Sequence, residues 1–184
     1  GLSLIIAPMT APTLPASWTL RPLGAHDIDS LLHVQTVCYG DSFQESPAVF
    51  ARRLACPHQC SIGVVRPGQT ALLAYLAAYW SNPGKITPLD GDFSAPAPGP
   101  HVLYLHDMSV LPELSGQGVA RHLVQHLFAA ARQRGVQQAA LVSVQGSQTY
   151  WERQGFSVKP VLDAQQSMHL ETYGPGATYM TAAL

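Results

Sequence analysis

The apolar residues of this 184-residue chain change their spacing several times, and each change predicts a different element. Continuous or alternating apolar runs predict strands, whereas apolar residues three or four positions apart predict amphipathic helices. Pro22 ends the first strand, and Ser46-Pro47 has the cap and proline typical of a helix start. Strands are predicted at 18–21, 61–65, 70–80, 102–110, 138–144, 156–158 and 177–182, and helices at 25–38, 47–56, 119–134 and 148–154.

The segment from residue 81 to residue 100 interrupts this pattern. It contains five prolines and three glycines, so neither a helix nor a strand is expected there. A loop of this length in a compact domain is usually functional or mobile. A substrate lid and a passive insertion are both compatible with the composition.

The stretch from His101 to Arg121 reads as a strand, a glycine turn and the start of a helix. Pro112 cannot donate a hydrogen bond to a sheet, so the strand ends before it. Gly116 and Gly118 precede a helical apolar face that begins at Val119. Free N–H groups at such a turn, reinforced by the helix dipole, favour a phosphate or pyrophosphate. Glycines also occur at such turns for geometry alone, and this is neither a dinucleotide fingerprint nor a P-loop.

Composition narrows the class of protein. Only 11% of the residues are charged and the formal net charge is −1, with no basic patch, so nucleic acid is not an expected partner. No apolar run reaches the roughly 18 residues of a membrane span. Three cysteines argue against a disulfide framework, and Cys56-Pro57-His58-Gln59-Cys60 fits no common zinc pattern. We therefore expect no metal and a cytoplasmic protein, with residues 1–16 as a flexible arm and 17–184 as one domain.

A second motif follows over residues 141–156. It predicts a strand, a short helix carrying Tyr150-Trp151-Glu152-Arg153, and a return strand after Gly155. Together with the glycine turn, in this order and separation, it resembles the GNAT superfamily of acyl-CoA-dependent N-acetyltransferases. The resemblance implies an α+β, three-layer fold. Its mixed central sheet would have six to seven strands, splayed between strands 4 and 5, with about four flanking helices.

The resemblance also implies an acetyl-CoA site. The family turn reads Gln/Arg-x-x-Gly-x-Gly/Ala, and Ser115 here replaces the Gln or Arg. Backbone N–H groups make most contacts of such a turn, so binding is expected to survive. We assign the oxyanion contact to the Met108 N–H, freed by a bulge, and the pantetheine contact to Val110. The implied acetyl-CoA residues are Met108, Ser109, Val110, Ser115, Gly116, Gln117, Gly118, Val119, Ala120, Ser147, Tyr150 and Trp151.

The catalytic residues are less directly implied. Trp151 stands where the family often has a general-acid tyrosine, and Tyr150 lies about 100° further round the helix. Tyr150 is therefore either the acid or a packing residue. Tyr104-Leu105-His106 is similar to the His-x-His of arylalkylamine N-acetyltransferases. His106 is the first candidate for the general base, because imidazole transfers protons near neutral pH; the alternative is a core histidine.

The remaining predictions concern Glu45, the facing of His106 and Asp107, and the cysteines. Glu45 would attract the amine cation, or else be a solvated loop acid. By strand alternation His106 shares a face with Tyr104 and Met108, and Asp107 points the opposite way unless a bulge turns it. The cysteines are not expected near the motif strand.

The predicted function is acetyl transfer from acetyl-CoA to the primary amine of a small molecule. Two alternatives stay open at this point: a protein or peptide acceptor, and a non-catalytic acyl-CoA-binding regulatory module. A homodimer also stays open.

Overall fold

A computed structural model describes residues 17–184, so the predicted arm over 1–16 lies outside the described residues. The described chain forms one seven-stranded sheet in the order β1-β2-β3-β4-β5-β7-β6. The strands are β1 Thr19–Pro22, β2 Ile62–Val65, β3 Ala74–Ser81, β4 Val102–Val110, β5 Gln138–Ser143, β6 Ser157–Val158 and β7 Thr178–Ala183. The helices are α1 Ile28–Tyr39, α2 Pro47–Ala55, α3 Val119–Gln133, α4 Gln148–Arg153 and α5 Ala164–Glu171.

The sheet splits between its two central strands. All neighbouring strands are antiparallel except β4 and β5, which are parallel and pair only over Leu103–Leu105 and Ala139–Leu141. Beyond Leu105 the two strands diverge, so the β5-facing edge of β4 is left open from His106 onward. The splayed mixed sheet predicted from the family resemblance is confirmed.

Helices cover both faces of the sheet. On one face the apolar stripe of α3, including Leu123 and Leu127, packs on the largest core cluster. On the other face α1 and α2 bury Leu31, Val34 and Phe50 against Tyr75 and Ala77 of β3. The Ser46 hydroxyl accepts a hydrogen bond from the Val49 N–H at the start of α2, as predicted. None of the described helices is long and apolar enough to cross a membrane.

The predicted elements differ from the structure in two places. The strand predicted over 70–80 begins only at Ala74. Helix α5 was missed because its sequence carries no apolar stripe; polar contacts and the packing of Leu170 on the core hold it in place. The Asp163 carboxylate caps its first turn, and the Gln166 amide oxygen accepts a hydrogen bond from the Ile86 N–H.

The loop at 82–101 contains no helix or strand, as predicted, yet it is fastened at several points. Tyr173 donates a hydrogen bond to the Thr87 carbonyl at 2.6 Å, and the Leu89 N–H donates to the Thr172 hydroxyl at 2.9 Å. The Phe93 ring stacks on Tyr79 with centroids 3.8 Å apart. This loop therefore closes over the side of the sheet that carries α2 and α5.

Candidate active site

The fork between β4 and β5 contains a cavity of about 220 Å³, here called the fork cavity. Tyr39 from α1 closes one side, and Tyr150 and Trp151 from α4 close another. Between them the wall is formed by the end of β4, including His106, Asp107 and Met108. The pairing of β3 with β4 implies that the Met108 and Val110 N–H groups point into this fork. The Leu111 N–H donates to the Leu73 carbonyl, on the β3 side of β4. Because N–H groups alternate in direction along a strand, those of Val110 and Met108 point to the opposite side, toward β5.

A bulge in β4 decides which side chains enter the cavity. Ala77 pairs with Asp107 and Ala78 with Leu105, so His106 is the extra residue of β4. The bulge places His106 and Asp107 on the same face, and both side chains line the fork cavity. The simple alternation that grouped Met108 with His106 was wrong, since Met108 packs on the α3 face. A bulge was expected in this strand, and it lies two residues before Met108.

His106 is held by a buried ion-pair cluster. Its Nε2 lies 2.8 Å from Glu45 Oε1, and both side chains are 2% exposed. The Arg53 guanidinium donates two hydrogen bonds to Glu45, at 2.9 and 2.7 Å, and a third to the Gly91 carbonyl at 2.6 Å. The Asp90 N–H donates to Glu45 at 2.8 Å. With Nε2 donating to Glu45, the Nδ1 of His106 is left as a proton acceptor.

The free nitrogen of His106 has no other partner. Among the described residues its buried Nδ1 makes no hydrogen bond. A carboxylate that fixes the tautomer of an imidazole, and so leaves one nitrogen basic, is the arrangement of a general base. The two residues proposed separately as base and as cation-attracting acid are therefore in direct contact.

The charge of Glu45 is already paired within the protein. Burial opposes ionisation of this carboxyl, but His106 and Arg53 outweigh it and hold the pKa of Glu45 well below its usual range. The backbone of Glu45 is fixed as well: the buried Gln35 amide accepts from its N–H at 3.1 Å and donates to its carbonyl at 3.3 Å. Because Arg53 already matches this charge, the geometry favours a positioning role over attraction of a cation.

Asp107 belongs to a different network. Its Oδ2 accepts a hydrogen bond from the Tyr75 hydroxyl at 2.5 Å, and its Oδ1 lies 3.1 Å from the Tyr39 hydroxyl and 3.5 Å from Ser109 Oγ. Burial raises the pKa of Asp107, and the hydrogen bond from Tyr75 acts against this rise. Ser109 also donates to Tyr75, so its side chain lies in this network rather than along the fork.

A narrow pocket of about 30 Å³, here called the niche, adjoins the fork cavity. Both share Tyr39, His106 and Asp107, so the imidazole and the carboxylate stand at the junction. Glu45 lines the niche as well, and apolar and aromatic side chains form the rest of its wall. They are Phe43, Leu89, Val142, Val144 and Tyr173.

The glycine turn forms a third cavity, of about 290 Å³, at the start of α3. Gly116 and Gly118 have φ of 76° and 74°, the left-handed region that glycine adopts without strain. No atom lies within 4 Å of where a Cβ would stand on either glycine, so the backbone is open to a ligand. The lining residues are Val110, Leu114, Ser115, Gly116, Gly118, Val119, Ala120, Arg121 and Tyr150.

Two polar side chains beside this turn take different positions. Gln117 turns back to hydrogen-bond the Glu113 carbonyl at 3.2 Å and does not line the cavity. Arg121 is exposed, and it lines the cavity. A guanidinium beside free backbone N–H groups gives the turn the positive charge that Ser115 does not supply.

Tyr150 lies between the turn and the fork cavity and lines both. Its buried hydroxyl makes no hydrogen bond among the described residues. Burial raises the pKa of Tyr150, with the Arg121 charge opposing, so the phenol is protonated at neutral pH. Trp151 packs edge-on against Phe156 in the core, with one side on the cavity. Ser147 precedes α4 but makes no cap; its Oγ lies 3.0 Å from Ser143 Oγ.

The cysteine prediction needs one correction. Cys38 does lie against the motif strand, with its Sγ 3.4 Å from the Val110 carbonyl. Sequence separation hid this contact, which exists because α1 crosses β4. Burial raises the pKa of the Cys38 thiol, which disfavours a nucleophilic thiolate. Within residues 17–184 no group of three or more potential metal ligands is present.

Sequence reasoning missed Arg53, Gln35 and Tyr39. Arg53 had a usable signal: it follows Val49 by four residues and Phe50 by three, so it lies on the apolar face of α2. A charged residue on such a face is buried with a partner. Tyr39 and Gln35 carry no comparable signal, because their partners lie on segments that only the fold brings close.

Comparison with known proteins agrees with this geometry. The model of the acetyltransferase (GNAT) family matches residues 28–156. The ribosomal-protein-S18-alanine N-acetyltransferase from Escherichia coli has a similar structure, with a TM-score of 0.65, 17% identity, and coverage of 90% of this chain and 93% of that one. The PaiA N-acetyltransferase from Thermoplasma acidophilum, in complex with coenzyme A, is also similar. Its TM-score is 0.61 and its sequence identity 12%, with coverage of 91% of this chain and 99% of that one.

A third similar structure is Naa50 from Arabidopsis thaliana with a bisubstrate analogue, with a TM-score of 0.61, 15% identity, and coverage of 90% of this chain and 97% of that one. Among curated protein sequences, none matches this chain. The family model covers most of the described chain and both motifs, with the forked sheet and the glycine turn in their expected places. The chain therefore belongs to the GNAT family of acetyl-CoA-dependent acetyltransferases.

Proposed function

We propose that this acetyltransferase acts on the primary amine of a small molecule, by direct attack of the amine in a ternary complex. The observation that carries the proposal is the Glu45–His106 pair: the imidazole lines both the fork cavity and the niche, and its Nδ1 makes no hydrogen bond among the described residues. The niche is narrow, and the fastened loop at 82–101 contributes Leu89 to its wall. A narrow acceptor pocket favours a small amine over a polypeptide chain.

The residues present fit acetyl-CoA as co-substrate, which supplies the activated acetyl group as a thioester. The open glycine backbone and Arg121 suit the pyrophosphate. The Val110 backbone would hold the pantetheine arm, and the Met108 N–H would donate to the thioester oxygen. His106 Nδ1 would remove a proton from the amine, and the Tyr150 hydroxyl would donate one to the departing thiolate.

A thermal melt with acetyl-CoA, followed by CoA release against amines and short peptides, tests the function. At about 100 times Kd, acetyl-CoA should stabilise the protein by about 2.7 kcal/mol, a rise in Tm of roughly 5 to 10 °C. Release with small amines and not with peptides supports the proposal. Release with peptides alone, or a Tm shift without turnover, would favour the peptide acetyltransferase or the regulatory module.

Gly118→Ala is expected to weaken acetyl-CoA binding as well as the fold. An alanine at this φ costs about 1–2 kcal/mol of strain. Its Cβ would project into open space beside the turn, where the pyrophosphate is expected to bind. Gly135→Ala is the matched control, since Gly135 has φ of 72° and follows the far end of α3. Both variants should lose similar stability in denaturant unfolding, and only Gly118→Ala should raise the KM for acetyl-CoA. Equal KM values in the two variants would remove the turn from the cofactor site.

Tyr150→Phe is expected to lower kcat with little change in stability. The phenyl ring keeps the packing on Trp151, whose centroid lies 4.9 Å away, and loses only the unpaired hydroxyl. General acid catalysis typically contributes about 10²- to 10⁴-fold, so kcat should fall by a factor in this range. The fall should be smallest for acetyl thioesters whose thiolate is a good leaving group. Steady-state kinetics check this, and an unchanged kcat would assign Tyr150 to packing alone.

A further inference from the structure

We propose that Asp107 binds the acceptor amine as an ammonium ion, directly beside the nitrogen that deprotonates it. The inference rests on the proposed amine acetylation and specifies how the amine is recognised. It moves the cation-binding role from Glu45, where the sequence suggested it, to the neighbouring residue of His106. The ligand class is a cationic primary amine.

The first argument is position. The bulge at His106 turns two consecutive side chains of β4 toward the same space, so the imidazole and the carboxylate both line the fork cavity and the niche. In regular alternation Asp107 would face α3 and be buried away from the site. The irregularity in the strand therefore brings an acid and a base to one point.

The second argument is charge. Glu45 is neutralised by the bidentate Arg53, whereas the hydrogen-bond partners of Asp107 are the uncharged hydroxyls of Tyr75, Tyr39 and Ser109. Within residues 17–184 no ion pair to Asp107 is formed. A carboxylate with little solvent is costly unless a cation accompanies it, and burial correspondingly raises the pKa of Asp107. An ammonium ion in the niche would supply that cation.

The surrounding rings suit the same ligand. Tyr39, Phe43 and Tyr173 line the niche, and aromatic faces attract ammonium groups. One ammonium N–H bond breaks as its proton goes to His106 Nδ1, and the resulting amine lone pair forms the C–N bond to the acetyl carbonyl as the C–S bond breaks. The thiolate takes a proton from Tyr150, the second proton lost by the nitrogen restores the Tyr150 hydroxyl, and the proton on His106 passes to solvent.

The test compares a cation with an uncharged probe of similar size. N,N-Dimethylbenzylamine cannot form a stable amide, and benzyl methyl ether is its neutral counterpart; calorimetry on the full chain measures both affinities. Asp107→Asn should weaken binding of the amine by about 10- to 100-fold and change binding of the ether by less than about twofold. Asp29→Asn, at an exposed acid in the first turn of α1, makes the same change in net charge and should alter neither.

Two results would overturn the inference. One is unchanged affinity for the amine in Asp107→Asn, and the other is an equal loss for amine and ether, which would indicate a deformed pocket. Tyr75→Phe provides a second variant, since it removes a hydroxyl donor but keeps the carboxylate; it should still bind the amine more tightly than the ether. Because binding is measured without turnover, the inference can fail while acetyl transfer is observed, and it can hold where none is found.

Discussion

Replacement of His106 by glutamine is expected to lower kcat/KM for acetyl transfer by about 10²- to 10⁴-fold, the usual contribution of a general base. Glutamine can still donate a hydrogen bond to Glu45, so the buried cluster is largely kept, but it offers no basic nitrogen to the cavity. Steady-state kinetics with acetyl-CoA and the acceptor amine measure this loss.

The thermal shift with acetyl-CoA provides the control for this variant. It should match that of the wild type, because the glycine turn and Arg121 lie in a separate cavity. Glu45→Gln should give a smaller loss of kcat/KM, since it removes the charge that orients the imidazole and leaves the imidazole in place. If His106→Gln bound acetyl-CoA normally and kept its activity, proton removal would have to be assigned elsewhere, and Asp107 is another titratable group that lines the fork cavity.

The fold was largely predictable because its signals are local. The turn at Gly116 and Gly118 needs left-handed backbone, and the apolar period changes at Val119, so strand, turn and helix could be located from adjacent residues. Helix α5 could not, because its stability comes from contacts such as Gln166 with Ile86, 80 residues apart. Local periodicity carries no record of such contacts.

The sequence indicated several residues of the site but not the contacts between them. His106 and Glu45 were each proposed, but their 2.8 Å contact joins residues 61 positions apart. The bulge at His106 places Asp107 and Met108 on the faces of the sheet opposite to those that regular alternation predicts. One extra residue reverses the alternation for every residue after it. An insertion of this kind is set by pairing with β3 and is invisible in β4 alone.

Arg53→Leu is expected to destabilise the protein by about 3–5 kcal/mol, the usual cost of removing one partner from a buried ion pair. Arg53 is 4% exposed and donates to both oxygens of Glu45 and to the Gly91 carbonyl. Its loss would leave a buried carboxylate with one cationic neighbour at most, and would also release the loop at 82–101. For a chain of this size the change corresponds to a fall in Tm of roughly 6 to 20 °C.

The adjacent arginine gives a matched control. Arg52 pairs with Asp92 at 2.9 Å, but these side chains are 56% and 57% exposed, so Arg52→Leu should cost less than about 1 kcal/mol.

The pH dependence of the free energy of unfolding distinguishes the charge of Arg53 from its packing. Because the folded state holds the pKa of Glu45 below its unfolded value, the stability from this pair is present above about pH 4.3. In Arg53→Leu the buried carboxyl prefers to be protonated, so the deficit relative to wild type should be largest at pH 7 and shrink toward pH 4. A deficit that stayed constant across this range in urea unfolding would show that Arg53 stabilises the fold through its packing, and not through the charge of Glu45.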